Sequence, residues 1–164
     1  MRDLEIIEAG PAELADLGLA FGPFHGRVYA DRAALPGAVL VARAGHPVAA
    51  MYVSSDMPAE YQIVDRLGAV PMMHRLLVDE RVRRQRVGTR LVHEAEARLR
   101  ADGHPLVAVG VDLENTGADL FWRSLDYREW EHGLLKTFRE HEVDGVAEMR
   151  PDVCRIFTKD LLGP

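Results

Sequence analysis

The chain has 164 residues, 48% of them hydrophobic and 28% charged, a composition that suits one globular domain with a sizeable core. A net charge of −6 speaks against a general nucleic-acid binder, and no apolar run approaches the about 18 residues needed to cross a bilayer. The opening Met1-Arg2-Asp3-Leu4-Glu5 lacks the charged-then-apolar plan of a signal peptide, and the single cysteine, Cys154, excludes an internal disulfide, so a cytoplasmic location is expected.

Taken in chain order, Leu4–Glu8 alternates as a first strand. Pro11 opens a helix over Ala12–Ala20, with Leu14, Leu17 and Leu19 as its apolar positions. The mixed segment Gly22–Pro36 carries a short helix around Val28–Ala34. Ala38–Arg43 and Val48–Ser54 are strands, and Ala44-Gly45-His46-Pro47 between them is a hairpin signal. Ser55–Pro71 reads as an insertion, with one or two helical turns over Glu60–Leu67. Met72–Val78 is the next strand, and Gly88–Ala101 is a helix closed by Asp102-Gly103. Leu106–Val111 is almost wholly apolar, as in a strand covered on both faces. Thr116–Leu125 forms a helix after Asn115, and two strands follow, Trp130–Glu140 and Val153–Lys159, with Val143–Val146 as a turn. The order predicts an α/β domain of one mixed sheet with helices on both faces, in a single unit over residues 1–164. Apolar neighbours make Cys154 a small buried strand residue; a nucleophile would need a histidine partner that the sequence does not display.

The segment most telling of chemistry is Val78–Leu91. A strand, a short turn and a helix N-terminus stand in succession, and first-turn amides without intrahelical partners form an anion site. Five arginines surround it: Arg81, Arg83, Arg84, Arg86 and Arg90. The expected ligand is a phosphorylated cofactor; the alternative is a solvated, arginine-rich turn.

Two segments resemble signatures of the GNAT superfamily of N-acetyltransferases. Arg83-Arg84-Gln85-Arg86-Val87-Gly88 is similar to the acetyl-CoA signature [QR]-x-x-G-x-[GA]; Gly88 matches its last position and Arg86 replaces its first glycine. Asn115-Thr116-Gly117-Ala118 through Trp122 and Tyr127 is similar to the stretch N-x-x-A…Y-x-x-x-G-[FY], with Trp122 where many members carry tyrosine and Asp126 in place of glycine. The resemblance implies a mostly antiparallel sheet whose central strands splay apart around acetyl-CoA. It implies that the backbone of Leu76, Leu77 and Val78 bonds the pantetheine. Arg83, Arg84, Gln85, Arg86, Val87, Gly88 and Thr89 would hold the diphosphate, and Asn115, Ala118 and Trp122 would complete the cofactor site.

The implied reaction is acyl transfer to a small-molecule amine, without a metal and without membrane or nucleic-acid partners, in a chain whose C-terminal strands can pair two copies into a homodimer. An alkylammonium must lose a proton before it attacks. His74 is the candidate base, being four residues before Val78 and so on the same face of a regular strand. Glu80 is the alternative base, unless it pairs with a neighbouring arginine, and Asp112 and Glu114 are candidate contacts for a substrate ammonium. Trp122 offers only an indole N–H, so it packs against the pantetheine or donates to sulfur and cannot act as an acid. Phe24, His25, Tyr29, Tyr61 and Trp130 are candidate walls of an acceptor pocket, from their places in loops. Two other readings remain: an acyl-CoA-binding module without turnover, and a transferase using another acyl donor.

Overall fold

A computed structural model describes residues 1, 3–55 and 57–163; position 56, inside the expected insertion, lies outside them. Eight strands form one sheet: β1 (Glu5–Glu8), β2 (Gly37–Ala44), β3 (His46–Ser54), β4 (Met72–Val78), β5 (Leu106–Asp112), β6 (Arg128–Glu129), β7 (Leu135–Val143) and β8 (Val146–Asp160). The order across the sheet is β1-β2-β3-β4-β5-β8-β6, and β7 also pairs with β8. Every pairing is antiparallel except β4 with β5.

Helices cover both faces, as expected. α1 (Pro11–Phe21) and α2 (Pro23–Ala33) lie over one face, where Leu17 and Tyr29 pack with Val39, Val41, Ala50 and Tyr52. The short α3 (Tyr61–Leu67) covers the far end of that face, its Ile63 meeting Met72, Ala108 and Ile156. α4 (Val87–Ala101) and α5 (Thr116–Ser124) cover the opposite face. Leu91, Val92, Ala95 and Leu99 recur there at helical spacing and pack on Leu40, Ala49, Met51 and Val109. α1 and α2 cross at Gly18 and Gly26: a Cβ at Gly26 would lie 2.6 Å from the Gly18 Cα, a distance only glycine permits.

Several boundaries differ from expectation. α2 begins at Pro23, not Val28, because proline at the first helical position pre-sets φ and gives up an N–H that has no partner there. The predicted strand Trp130–Glu140 starts only at Leu135, as β7, and a separate short β6 ends before Trp130. β8 begins at Val146, seven residues before the predicted Val153, and runs through Pro151. Only one edge of that stretch is paired, since β5 meets β8 from Cys154 onward. The Leu113 N–H bonds the Val153 carbonyl, so by alternation position 151 turns its missing N–H to the same open edge.

Two irregularities of β4 govern everything downstream. β4 pairs with β5 only at Met72↔Ala108 and Met73↔Val109, after which the strands part. Its register with β3 also shifts by one residue: Tyr52 faces His74, whereas Ala50 faces Leu77. The extra residue is a bulge at Arg75, which holds φ 56°. A non-glycine residue there stores strain, so its surroundings must hold it. The buried Tyr29 hydroxyl of α2 donates to the Arg75 carbonyl, and Arg75 Nη2 donates to the Glu140 carbonyl of β7 at 2.9 Å.

Candidate active site

The parting of β4 and β5 opens a cleft of about 600 Å3 on the α4/α5 face. At its far end, α4 starts from Arg86 in the left-handed region (φ 60°, ψ 21°), the first-glycine position of the signature. Arg84 is also left-handed at φ 64°. The turn therefore adopts a backbone that favours glycine, with arginine bearing the steric cost. The first intrahelical bond runs from Arg90 N–H to the Arg86 carbonyl. The preceding amides of Val87, Gly88 and Thr89 head the helix and line the cleft.

The five arginines divide by partner. Arg81 is held by Asp79 at 2.6 Å, Arg83 faces Glu80 at 3.7 Å, and Arg90 bonds the Met1 and Leu4 carbonyls at 3.2 Å each. The guanidinium groups of Arg84 and Arg86 make no hydrogen bond or ion pair among the described residues, and both line the cleft. An exposed cation pair beside free helix-head amides fits a diphosphate.

Asn115 caps α5, its side chain accepting from the Ala118 N–H at 3.0 Å. That cap brings Ala118 and Trp122 to the cleft wall. Trp122 is buried, edge-on to both Phe121 and Tyr127. Tyr127, the closing aromatic of the second signature, points away into the core and donates to Glu96 at 3.1 Å.

Three candidate residues fall elsewhere. The Asp79 N–H bonds the Val48 carbonyl of β3, so by alternation the amide and carbonyl of Leu77 also face β3. Leu76 and Val78 turn theirs to the open side; Leu77 packs against the α1/α2 face and does not line the cleft. Gln85 does not line the cleft either. Glu80 is exposed, lines neither cavity and faces Arg83.

A second cavity, of about 480 Å3, lies on the opposite face between α2, α3 and the β7–β8 arm. Both cavities are lined by Met73, His74, Arg75, Gly110, Asp112 and Arg139, so they meet where β4 leaves β5. Gly110, in mid-strand, lines both cavities, and a Cβ there would lie 3.6 Å from Cys154 Sγ. His74 and Val78 do not share a face, because the bulge at Arg75 resets the alternation between them. Val78 packs toward α4, whereas His74 stacks on Tyr52 with ring centroids 5.5 Å apart. Burial holds the His74 imidazole neutral, pulling its pKa down to about 4; Glu60 opposes this, and Arg32, Arg75 and Arg139 reinforce it.

None of Phe24, His25, Tyr29, Tyr61 and Trp130 lines this cavity. Phe24 and Tyr29 are core residues, Tyr61 is exposed, and Trp130 turns its indole N–H to the Gly133 carbonyl. The walls come instead from Tyr52, Met57, Glu60 and the arm residues Thr137 to Glu140. Cys154 is buried in this wall, as its neighbours predicted. Gly110 was legible as a lone glycine in an apolar run; Arg139 carried no local signal.

The sheet order and the parallel strands that part after Met73 and Val109 define a mixed α/β domain with an open central cleft. The sequence matches the acetyltransferase (GNAT) family over residues 16–127, and the chain belongs to that family. Comparison with curated proteins by sequence gives no match. Among solved structures it is similar to the ribosomal-protein-S18-alanine N-acetyltransferase of Escherichia coli, at TM-score 0.70, 14% identity and 98% and 96% coverage of the two chains. It is also similar to a GNAT family acetyltransferase of Elizabethkingia anophelis with acetyl-CoA bound, at TM-score 0.63, 12% identity and 98% and 99% coverage. A third is the IAA acetyltransferase of Bacillus cereus, at TM-score 0.61, 16% identity and 96% and 97% coverage. At these identities the likeness is one of fold. Among the described residues no helix is long and apolar enough to cross a membrane.

Proposed function

We propose that this protein is an acetyl-CoA-dependent N-acetyltransferase that acts on a small-molecule amine by direct attack, with both substrates bound together. The observation that carries this reading is the meeting of the two cavities at the β4–β5 parting. Acetyl-CoA supplies the activated acyl group. The amides of Val87–Thr89 with Arg84 and Arg86 hold its diphosphate, and the open backbone of Leu76 and Val78 bonds the pantetheine. The amine arrives from the α2/α3 side in its neutral form, forms the C–N bond as the C–S bond breaks, and releases one proton to solvent, from which the departing CoA thiolate can take it up. Neutral His74 accepts a hydrogen bond from the attacking N–H and positions its lone pair. No side chain need protonate the departing sulfur, since a thiolate with a pKa near ~8.5 is a fair leaving group; Trp122 packs beside it.

The test is incubation with acetyl-CoA and a panel of primary amines. Free CoA and acetylated amine should appear in equal amounts. Acetyl-CoA binding with no turnover on any amine would establish the silent-module reading instead.

His74 carries a second expectation. His74→Ala should lower kcat about tenfold with little change in acetyl-CoA affinity, and without moving the near-neutral part of the pH–rate profile. The folded imidazole stays neutral down to about pH 4, whereas the unfolded one takes a proton near 6.5. The unfolded state therefore binds the proton first, and stability falls as pH drops from 6.5 toward 4. Urea unfolding of the wild type and the variant across that window measures how much of the loss belongs to His74.

A further inference from the structure

The acceptor-side cavity is lined by charges of both signs. Arg32, Arg75 and Arg139 act on His74, with Glu60 opposing them. Glu140 answers Arg32 with an ion pair at 3.2 Å. Arg75 donates to the Glu140 main-chain carbonyl and makes no ion pair among the described residues. The Arg139 guanidinium makes no hydrogen bond or ion pair among the described residues, yet it lines both cavities. Burial, then repulsion from Arg139, pushes the Arg75 pKa down, with the Glu140 carboxylate opposing. Three carboxylates, Glu60, Asp112 and Asp152, line the same cavity; with burial they raise the Cys154 thiol to about 11, and Arg139 opposes them. Two half-buried cations side by side, one without a partner, form a site that an anion would stabilise.

That anion is not the cofactor's diphosphate. Arg139 sits at the Met73–His74 end of the cleft, and the head of α4 follows Val78. Five strand residues separate those points by roughly 15 Å.

We infer that the acceptor is an amine that also carries a carboxylate, which Arg139 and Arg75 bind while its amino group turns toward Asp112 at the end of β5. A planar carboxylate matches the two-pronged guanidinium of Arg139. Asp112 receives the ammonium form before it loses its proton to solvent, so the cavity suits a zwitterion such as a free amino acid. This inference rests on the acyltransfer reading above and names the substrate class of that site.

The experiment compares kcat/KM for free L-amino acids and β-alanine with that for their amides, in the wild type, Arg139→Gln and Arg139→Lys. The wild type should prefer the acid over its amide about tenfold or more. Arg139→Gln should bring that ratio close to one, and Arg139→Lys should keep part of it. Amides acetylated as well as or better than the acids, or a preference that survives Arg139→Gln, would overturn the inference and leave the transferase reading standing. Acetyl-CoA binding with no amine acetylated would overturn the transferase reading, and this inference with it.

Discussion

Replacing Gly88 with aspartate should abolish acetyl-CoA binding while leaving the free protein folded. Gly88 sits in the first turn of α4, and a Cβ built there would lie 3.4 Å from Val78 Cγ2 and 3.6 Å from Phe121 Cζ. Those are ordinary contacts, so Gly88→Ala should keep binding within a few-fold. The aspartate adds a negative charge where the proposed diphosphate site lies. Two like unit charges about 4 Å apart, at the effective dielectric of a protein surface, repel by about 4 kcal/mol, or roughly a thousandfold in affinity. The same carboxylate suits the positive end of a helix dipole, so thermal unfolding of the unliganded variant should be unchanged or slightly raised. Calorimetric titration with acetyl-CoA, paired with a melting curve, separates the two effects. An aspartate variant that binds within tenfold of the wild type would move the phosphate site away from the head of α4.

The largest loss of stability is expected at Glu96. This carboxylate of α4 is only 2% exposed. It accepts from Lys159 Nζ at 3.1 Å on both oxygens, from the Tyr127 hydroxyl at 3.1 Å and from Arg100 at 3.4 Å. The cluster ties α4 to β8 and to the residue that closes the second signature. Glu96→Ala leaves the Lys159 ammonium and the Tyr127 hydroxyl without their acceptor, at a cost of about 3–5 kcal/mol. For a chain of this size the melting temperature should fall by roughly 10 °C. A double replacement, Glu96→Leu with Lys159→Met, removes both charges and should recover much of that loss. Urea unfolding of the single and double variants decides the point: equal losses in both would mean that the pair contributes packing and not charge compensation.

The legible parts of this chain were those written locally. Apolar spacing marked α4, Pro11 marked the start of α1, and Gly45 marked the hairpin, where it holds φ 79°. The turn that leads into α4 was legible because its helix start and Gly88 are features of a short segment. Pro23 carried the same kind of signal, and the mixed composition around it hid the true start of α2. The bulge in β4 had no such signature. Arg75 is not a residue that prefers a left-handed backbone, and what holds it there is Tyr29, 46 positions earlier, and Glu140, 65 positions later. One unseen extra residue reverses a strand's faces, so the inferred kinship of His74 with Val78 failed. The acceptor cavity was illegible for a related reason: its walls converge from α2, α3, β4, β5 and the arm. Residues that meet only through the fold leave no spacing to read.

The strands that part at Met73 and Val109 also bear on traffic in the proposed reaction. Each half of the sheet presents its own mouth to solvent, one beneath α4 and α5 and one beneath the β7–β8 arm. Thiol and amide products formed at the narrow passage beside Gly110 would have separate exits, and neither would need to wait for the other to clear.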